Sequence, residues 1–213
     1  RTSEASRAGG ITSFLVRPPL PGYSSGRHEN KMGLRGSTTV ALNLQNMRVP
    51  ARDRLADEGM GFRIAMTALD SGRCGIGAQA VGMGEAALRA AAIAVGERVP
   101  ADKALGLGQS NNFRIADIAT RLSAAWLMVL RASTMMDQSK RVTREAAMAK
   151  VFATEAANYA CQQALEIAGP AALDNTSTVA RMLRDVRVSR IYEGTSEIQR
   201  MVIGRDLARE VKR

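Results

Sequence analysis

Aromatic side chains are scarce in this chain: four Phe, three Tyr and one Trp make up 4% of its 213 residues. That shortage, with Ala, Met and Leu filling the apolar set, favours close-packed helices over a β-sandwich. Cysteine is limited to Cys74 and Cys161. Both fall in helical patterns with no paired spacing, which excludes a disulfide framework and points to small core residues in a reducing compartment. A bacterial-type cytoplasmic location is the expectation. The single histidine, His28, sits in a Gly/Ser-rich loop. One His and two distant Cys do not make a usual zinc site, so no metal is expected. No apolar run approaches the roughly 20 residues that cross a bilayer. The glycine-rich stretches do not follow a strand at dinucleotide-fold spacing, which excludes a Rossmann reading.

Charge, by contrast, is plentiful. Thirty basic residues against twenty acidic ones give a net charge of +10. Such an excess can draw nucleic acid, an anionic membrane or a phosphorylated ligand. Here the basic residues are spread along the chain, without a dense block and without aromatics interleaved for stacking on bases. A solvated Arg-rich surface accounts for them, with no nucleic acid expected as a partner.

The chain is long enough to bury a core as one domain, or as one domain plus a fragment. Residues 1–57 read as strands and turns. Ile11 to Val16 is a short apolar run, Arg17 to Gly22 holds three prolines and is not helical, and Thr38 to Leu44 alternates. These strands are too few for an independent sheet. Residues 58–213 carry helical periodicity. A first helix spans 61–98, and its glycines, Gly72 to Gly84, fit only where backbones approach closely. A second runs from about Asn111 to Asp137 with Ile115, Ile118, Leu122, Ala125, Trp126 and Val129 on one face. A third runs from Thr143 to Ala168 with Met148, Phe152, Tyr159 and Ile167. A short segment near Val179–Ser189 and a last helix from Thr195 complete an antiparallel bundle.

The densest chemistry lies in Ile191-Tyr192-Glu193-Gly194-Thr195-Ser196-Glu197-Ile198-Gln199-Arg200. Thr195 and Ser196 are good N-cap residues for a helix whose apolar stripe holds Ile198, Met201 and Val202. Glu193 thus stands at a helix mouth with unpaired backbone N–H groups, and Gly194 clears space beside its carboxylate. The residues alone leave two accounts open: a solvated Glu before a capped surface helix, or a carboxylate facing a ligand.

The string is similar to the catalytic loop of the acyl-CoA dehydrogenases, in which the Glu is the base. Other segments resemble that family in the same order. They are Gly10 to Val16 and Lys31 to Ser37, Val49-Pro50, Glu58 to Phe62, Leu69-Asp70-Ser71-Gly72-Arg73-Cys74-Gly75-Ile76, Glu145 to Lys150, and Arg184-Asp185. The resemblance implies a mainly α fold: a C-terminal antiparallel helical bundle, residues 58–213, preceded by the latter half of the middle β-domain, residues 1–57. It implies an oxidoreductase that uses FAD to desaturate an acyl-CoA thioester at the α,β bond, and passes electrons to an electron-transfer flavoprotein. A dimer or tetramer is expected, with a hetero-oligomer as the other arrangement. A fragment of this extent is expected to be inactive alone.

By the same resemblance Glu193 is the catalytic base, and Asp70, Ser71, Gly72, Arg73 and Gly194 lie at the substrate. Some members carry the base on the first bundle helix instead, where this chain has Ser71 and Gly72. The flavin-contacting positions are Arg98, Gln109, Glu166, Gly169, Thr195, Ser196 and Glu197. Read without the family, Asp70 and Arg73 make an i,i+3 ion pair, and Glu197 is a helix N-terminal carboxylate. Two flavin motifs depart from the family pattern. Pro100, Ala101 and Asp102 follow Arg98, and Glu166 and Pro170 replace a Gln and a Gly. A carboxylate at 166 repels a pyrophosphate unless screened, and Pro170 removes a backbone N–H. These departures open one alternative, a flavin-poor partner or scaffold subunit of a hetero-oligomer; the resemblance implies a second, a nucleic-acid-binding relative, because some members of the family bind DNA.

Overall fold

The computed structural model describes residues 1–4, 7–98 and 108–211. The chain divides into two compact units, residues 1–31 with 35–69 and residues 32–34 with 70–213.

Among the described residues the first unit holds four short strands, β1 (Ser13–Phe14), β2 (Tyr23–Ser25), β3 (Leu42–Leu44) and β4 (Arg54–Leu55). They form two separate antiparallel pairs, β1 with β4 in register Ser13↔Leu55, and β2 with β3 in register Tyr23↔Leu44. Phe14, Leu42, Leu44 and Leu55 remain exposed on these strands. The start of α1 (Gly61–Arg98) closes this unit, because the Gly61 N–H donates to Ile11 O at 2.8 Å and the Gly59 N–H to Thr12 Oγ1 at 3.0 Å.

The second unit is helical. It takes the remainder of α1 together with α2 (Gln109–Asp137), α3 (Thr143–Ala168), α4 (Thr178–Val186) and α5 (Ser196–Glu210). The directions of these helices follow from their cross-links. Arg114 near the start of α2 pairs with Glu166 near the end of α3, and Arg131 reaches Glu145 at the other end, so α2 and α3 run antiparallel. Ser196 meets Glu155 while Arg144 meets Glu210, so α5 is antiparallel to α3. Gly77 faces Val129 and Gly84 faces Leu122, which sets α1 antiparallel to α2.

α3 is the centre of the packing, and its interior face is made of alanine. Ala146, Ala149, Ala153, Ala157, Ala160 and Ala164 are fully buried, whereas Phe152 is exposed and Met148 and Tyr159 are half-buried. Only Ile167 among the large residues expected there enters the core. On α2 the expected face is buried at Ile118, Leu122, Ala125 and Val129, but Trp126 is 41% exposed. Small side chains let backbones approach closely, which explains both the aromatic shortage and the glycines of α1. At Gly84 a Cβ would lie 2.6 Å from Leu122 Cδ2 and 3.3 Å from the Cα of Ala157. Leu122 can turn away, but the α3 backbone has little room to move. Gly84→Val is therefore expected to destabilise the bundle by about 1–3 kcal/mol through overpacking. A lowered midpoint in a melt followed by helical circular dichroism checks it.

Cys74 and Cys161 are free and buried in this core. Desolvation pushes the Cys161 thiol up to about 12, with nearby Asp185 adding to the rise, so it behaves as an inert packing residue. No described helix is long and apolar enough to cross a membrane. No cluster of metal-ligating side chains occurs among the described residues.

Candidate active site

Glu193 lies in a tight turn between a 3₁₀ segment, Arg187–Arg190, and α5. Its backbone is left-handed, with φ +54°, and Gly194 follows at φ +92°. A non-glycine residue held there costs about 1–3 kcal/mol, and it persists only where the surroundings over-determine it. Those surroundings are polar and partly buried. At the base of the turn, Glu155 of α3 binds both flanks: Arg190 Nε and Nη2 donate to its two oxygens at 3.1 and 3.0 Å, and Ser196 Oγ donates at 2.9 Å. Tyr192 hydrogen-bonds Gln79 of α1. Lys150 Nζ of α3 donates to Gly194 O at 2.7 Å, and Gln199 Nε2 of α5 donates to Glu193 O at 3.1 Å and Gly194 O at 3.0 Å. Three helices thus hold five residues of loop.

The Glu193 side chain is half-buried and lies across Gly72 of α1, where a Cβ would come within 2.4 Å of Glu193 Oε2. The helix position that carries no side chain is the one against which the carboxylate rests. Immediately after it, Arg73 is only 5% exposed and its Nη1 donates to Asp70 Oδ1 at 2.7 Å. Thr143 Oγ1 donates to Asp70 Oδ2 at 2.8 Å. The pair is therefore a buried link between α1 and the start of α3, not a surface ion pair. Arg73 Nε is buried without a hydrogen-bond partner among the described residues. Ser71, the residue before Gly72, is exposed.

Desolvation lowers the Lys150 ammonium to about 8, helped by the guanidinium of Arg73 and opposed by Glu155, Glu193 and Glu197. Burial raises the Tyr192 phenol, and the adjacent Glu193 adds to that rise.

The flavin candidates separate into two groups. Thr195 caps α5, its Oγ1 accepting the Ile198 N–H at 3.4 Å, and Ser196 is buried against Glu155. Glu197 is exposed in the first turn of α5, where its own backbone N–H and the Thr195 hydroxyl hold its carboxyl below the usual range. These three residues line a cleft of about 160 Å³ with Arg187, Arg190 and Ile191. Arg187 beside a helix N-terminus suits an anionic group such as the diphosphate of FAD, while Arg190 is taken up by Glu155 and the Glu197 carboxylate in the same lining opposes an anion. The second group lies at the far end of α2 and α3. Gln109 is exposed at the first position of α2, Gly169 caps α3 at φ +77°, and Glu166 accepts from Arg114 Nη1 at 3.1 Å and from Gln163 Nε2 at 3.3 Å. The Arg114 guanidinium is the screening that a carboxylate at this position needs. From Glu155 to Glu166 the helix rises by roughly 16 Å, so one group does not reach the other. The side chain of Arg98, and the altered positions Pro100, Ala101 and Asp102, lie outside the described residues.

Sequence reasoning did not single out Lys150, Glu155, Gln199 or Arg187. For Lys150 a signal was present: it shares the stripe of Ala146, Ala149, Ala153 and Ala157, where a lysine is out of place unless it has a buried partner.

Comparison with known proteins places the sequence and the fold. Residues 59–208 match the family model of the acyl-CoA dehydrogenase C-terminal domain. The human mitochondrial short-chain specific acyl-CoA dehydrogenase is 41% identical over 211 residues, 99% of this chain and 51% of its own length. A caffeyl-CoA reductase–Etf complex subunit of Acetobacterium woodii is 41% identical over 194 residues, 91% of this chain and 51% of its own. Among solved structures, butyryl-CoA dehydrogenase from Megasphaera elsdenii superposes with a TM-score of 0.92 at 39% identity, covering 97% of this chain and 54% of that one. The chain spans about half the length of the relatives it matches. On sequence, fold and loop together, the chain belongs to the acyl-CoA dehydrogenase family.

Proposed function

We propose that the protein carrying this chain is an FAD-dependent dehydrogenase of short acyl-CoA thioesters, with Glu193 as the base that removes the α-proton. The observation that carries this reading is the placement of Glu193: a half-buried carboxylate laid over the bare backbone of Gly72, on a strained turn held from three helices. An acyl chain in that space would displace water from the carboxylate and strengthen it as a base, since desolvation disfavours its charged form. The backbone N–H at Glu193 is the expected donor to the thioester oxygen as negative charge develops there. FAD, when bound, supplies the acceptor for the hydride that leaves the β-carbon. Thr195, Ser196 and Arg187 would hold its diphosphate, while Gln109 and Gly169 would serve a flavin contributed across a subunit interface. The short-chain preference follows the names of the human and Megasphaera relatives.

The electron acceptor is proposed to be an electron-transfer flavoprotein, in keeping with a relative named as part of an Etf complex. A dimer or tetramer is supported by Trp126, Leu127 and Leu130, neighbouring apolar side chains left exposed on α2. A flavin-poor partner subunit is the second reading, favoured by Glu166 and Pro170 standing where the family has Gln and Gly.

One measurement separates the two. The whole protein, purified and mixed anaerobically with butyryl-CoA, is expected to be yellow and to bleach at the flavin band. A colourless preparation favours the partner subunit, and a yellow one that no acyl-CoA bleaches removes the dehydrogenase reading.

A further inference from the structure

We propose that Lys150 and Gln199 are positioning residues for Glu193: together they grip the carbonyls of Glu193 and Gly194, and so fix the direction in which the carboxylate points. This rests on the reading of Glu193 as the base.

The geometry is that of a clamp. The two carbonyls belong to consecutive left-handed residues, φ +54° and +92°, and therefore lie outside any helix ladder. Gln199 spans both with one amide, at 3.1 and 3.0 Å, and Lys150 adds a charge-assisted bond of 2.7 Å to the second. Both side chains are fully buried. Gly194 is interlocked with the clamp, because a Cβ there would meet Gln199 Nε2 at 2.5 Å. A relaxed turn would rotate the Glu193 Cα–Cβ bond and swing the carboxylate off Gly72. The clamp draws one member from α3 and one from α5, so the packing of those helices is translated into the aim of the base.

Burying an ammonium here is expensive. Arg73 faces it from α1, and the compensating carboxylates Glu155 on α3, Glu193 on the loop and Glu197 on α5 only partly offset that. A lysine kept only to hold the fold would be replaced to advantage by an apolar side chain of similar length. That contrast supplies the test.

The flavin-loaded whole protein is compared with Lys150→Met and Glu193→Gln variants, using a 3-thia-acyl-CoA. This compound can lose its α-proton, but it has sulfur where the hydride-bearing carbon would be. Deuterium exchange at the α-carbon, followed by NMR, then reports the base alone. In Lys150→Met the exchange is expected to slow about tenfold, less than for a free displacement because Gln199 still holds the turn. The dissociation constant of the analogue and the melting temperature are expected to stay at wild-type values. Normal exchange in Lys150→Met with loss in Glu193→Gln overturns the clamp and leaves the base in place. Normal exchange in Glu193→Gln overturns the base assignment, and the clamp with it. A melting temperature that drops in step with the rate makes Lys150 a structural residue and overturns the proposal.

Discussion

Glu193→Gln is expected to abolish substrate bleaching of the flavin, by on the order of 10⁴-fold, while the protein stays yellow and folded. The carboxamide has the shape of the carboxylate and keeps the contact with Gly72. The Glu193 backbone carbonyl, which Gln199 holds at 3.1 Å, is untouched by the change. What is lost is the lone pair that takes the proton. Among the described residues, no neighbouring carboxylate is well placed to replace it. Glu155 is occupied by Arg190 and Ser196, and Asp70 by Arg73 and Thr143. Glu197 faces outward at the start of α5. Stopped-flow absorbance with butyryl-CoA gives the rate, and titration of the same spectrum gives substrate affinity, which should change little. A variant that bleaches at the wild-type rate takes the base role away from Glu193.

The helices of this protein were legible because their signals are local. Periodicity places α1 and α3 at their observed ends, the N-cap residues place the start of α5 within a residue, and α2 begins two residues early, at Gln109. β2 and β4 escaped. Each is two or three residues long and is defined by a partner distant in sequence, Leu44 for Tyr23 and Ser13 for Leu55. The core differs from the expected apolar faces in a more instructive way. Large side chains mark an apolar face by eye, yet Phe152 and Trp126 stand at the surface and alanines fill the interior. Close backbone approach, not bulk, is what the sequence encodes there. At the site, the loop was readable as a string, but its support was not. Gly72 and Glu193 are far apart in the chain, and only folding shows that the missing Cβ of one makes room for the carboxylate of the other. The Asp70–Arg73 pair shows the same limit. Spacing gives the ion pair, and only burial reveals that it bonds α1 to Thr143.

Gly72→Ala should separate stability from catalysis. In a helix interior alanine is favoured over glycine by about 0.5–1 kcal/mol, so substitution within α1 would ordinarily stabilise the bundle. The new methyl has one serious neighbour. It would lie 2.4 Å from Glu193 Oε2, 2.8 Å from Cδ and 3.2 Å from Oε1. All three atoms are at the end of a flexible side chain, so the clash is relieved by moving the carboxylate, with no shift of α1 or of the clamped turn. The melting temperature should therefore hold or rise slightly. The carboxylate, however, must retreat by about 1 Å to reach ordinary contact, and a displacement of that size costs on the order of 10²-fold in rate. Anaerobic flavin reduction and a thermal melt on the same preparation supply both numbers. A Gly72→Ala protein that melts higher and reduces its flavin more slowly would place the reacting carboxylate against α1. One that keeps full activity would mean that Glu193 turns away from this helix when substrate is bound.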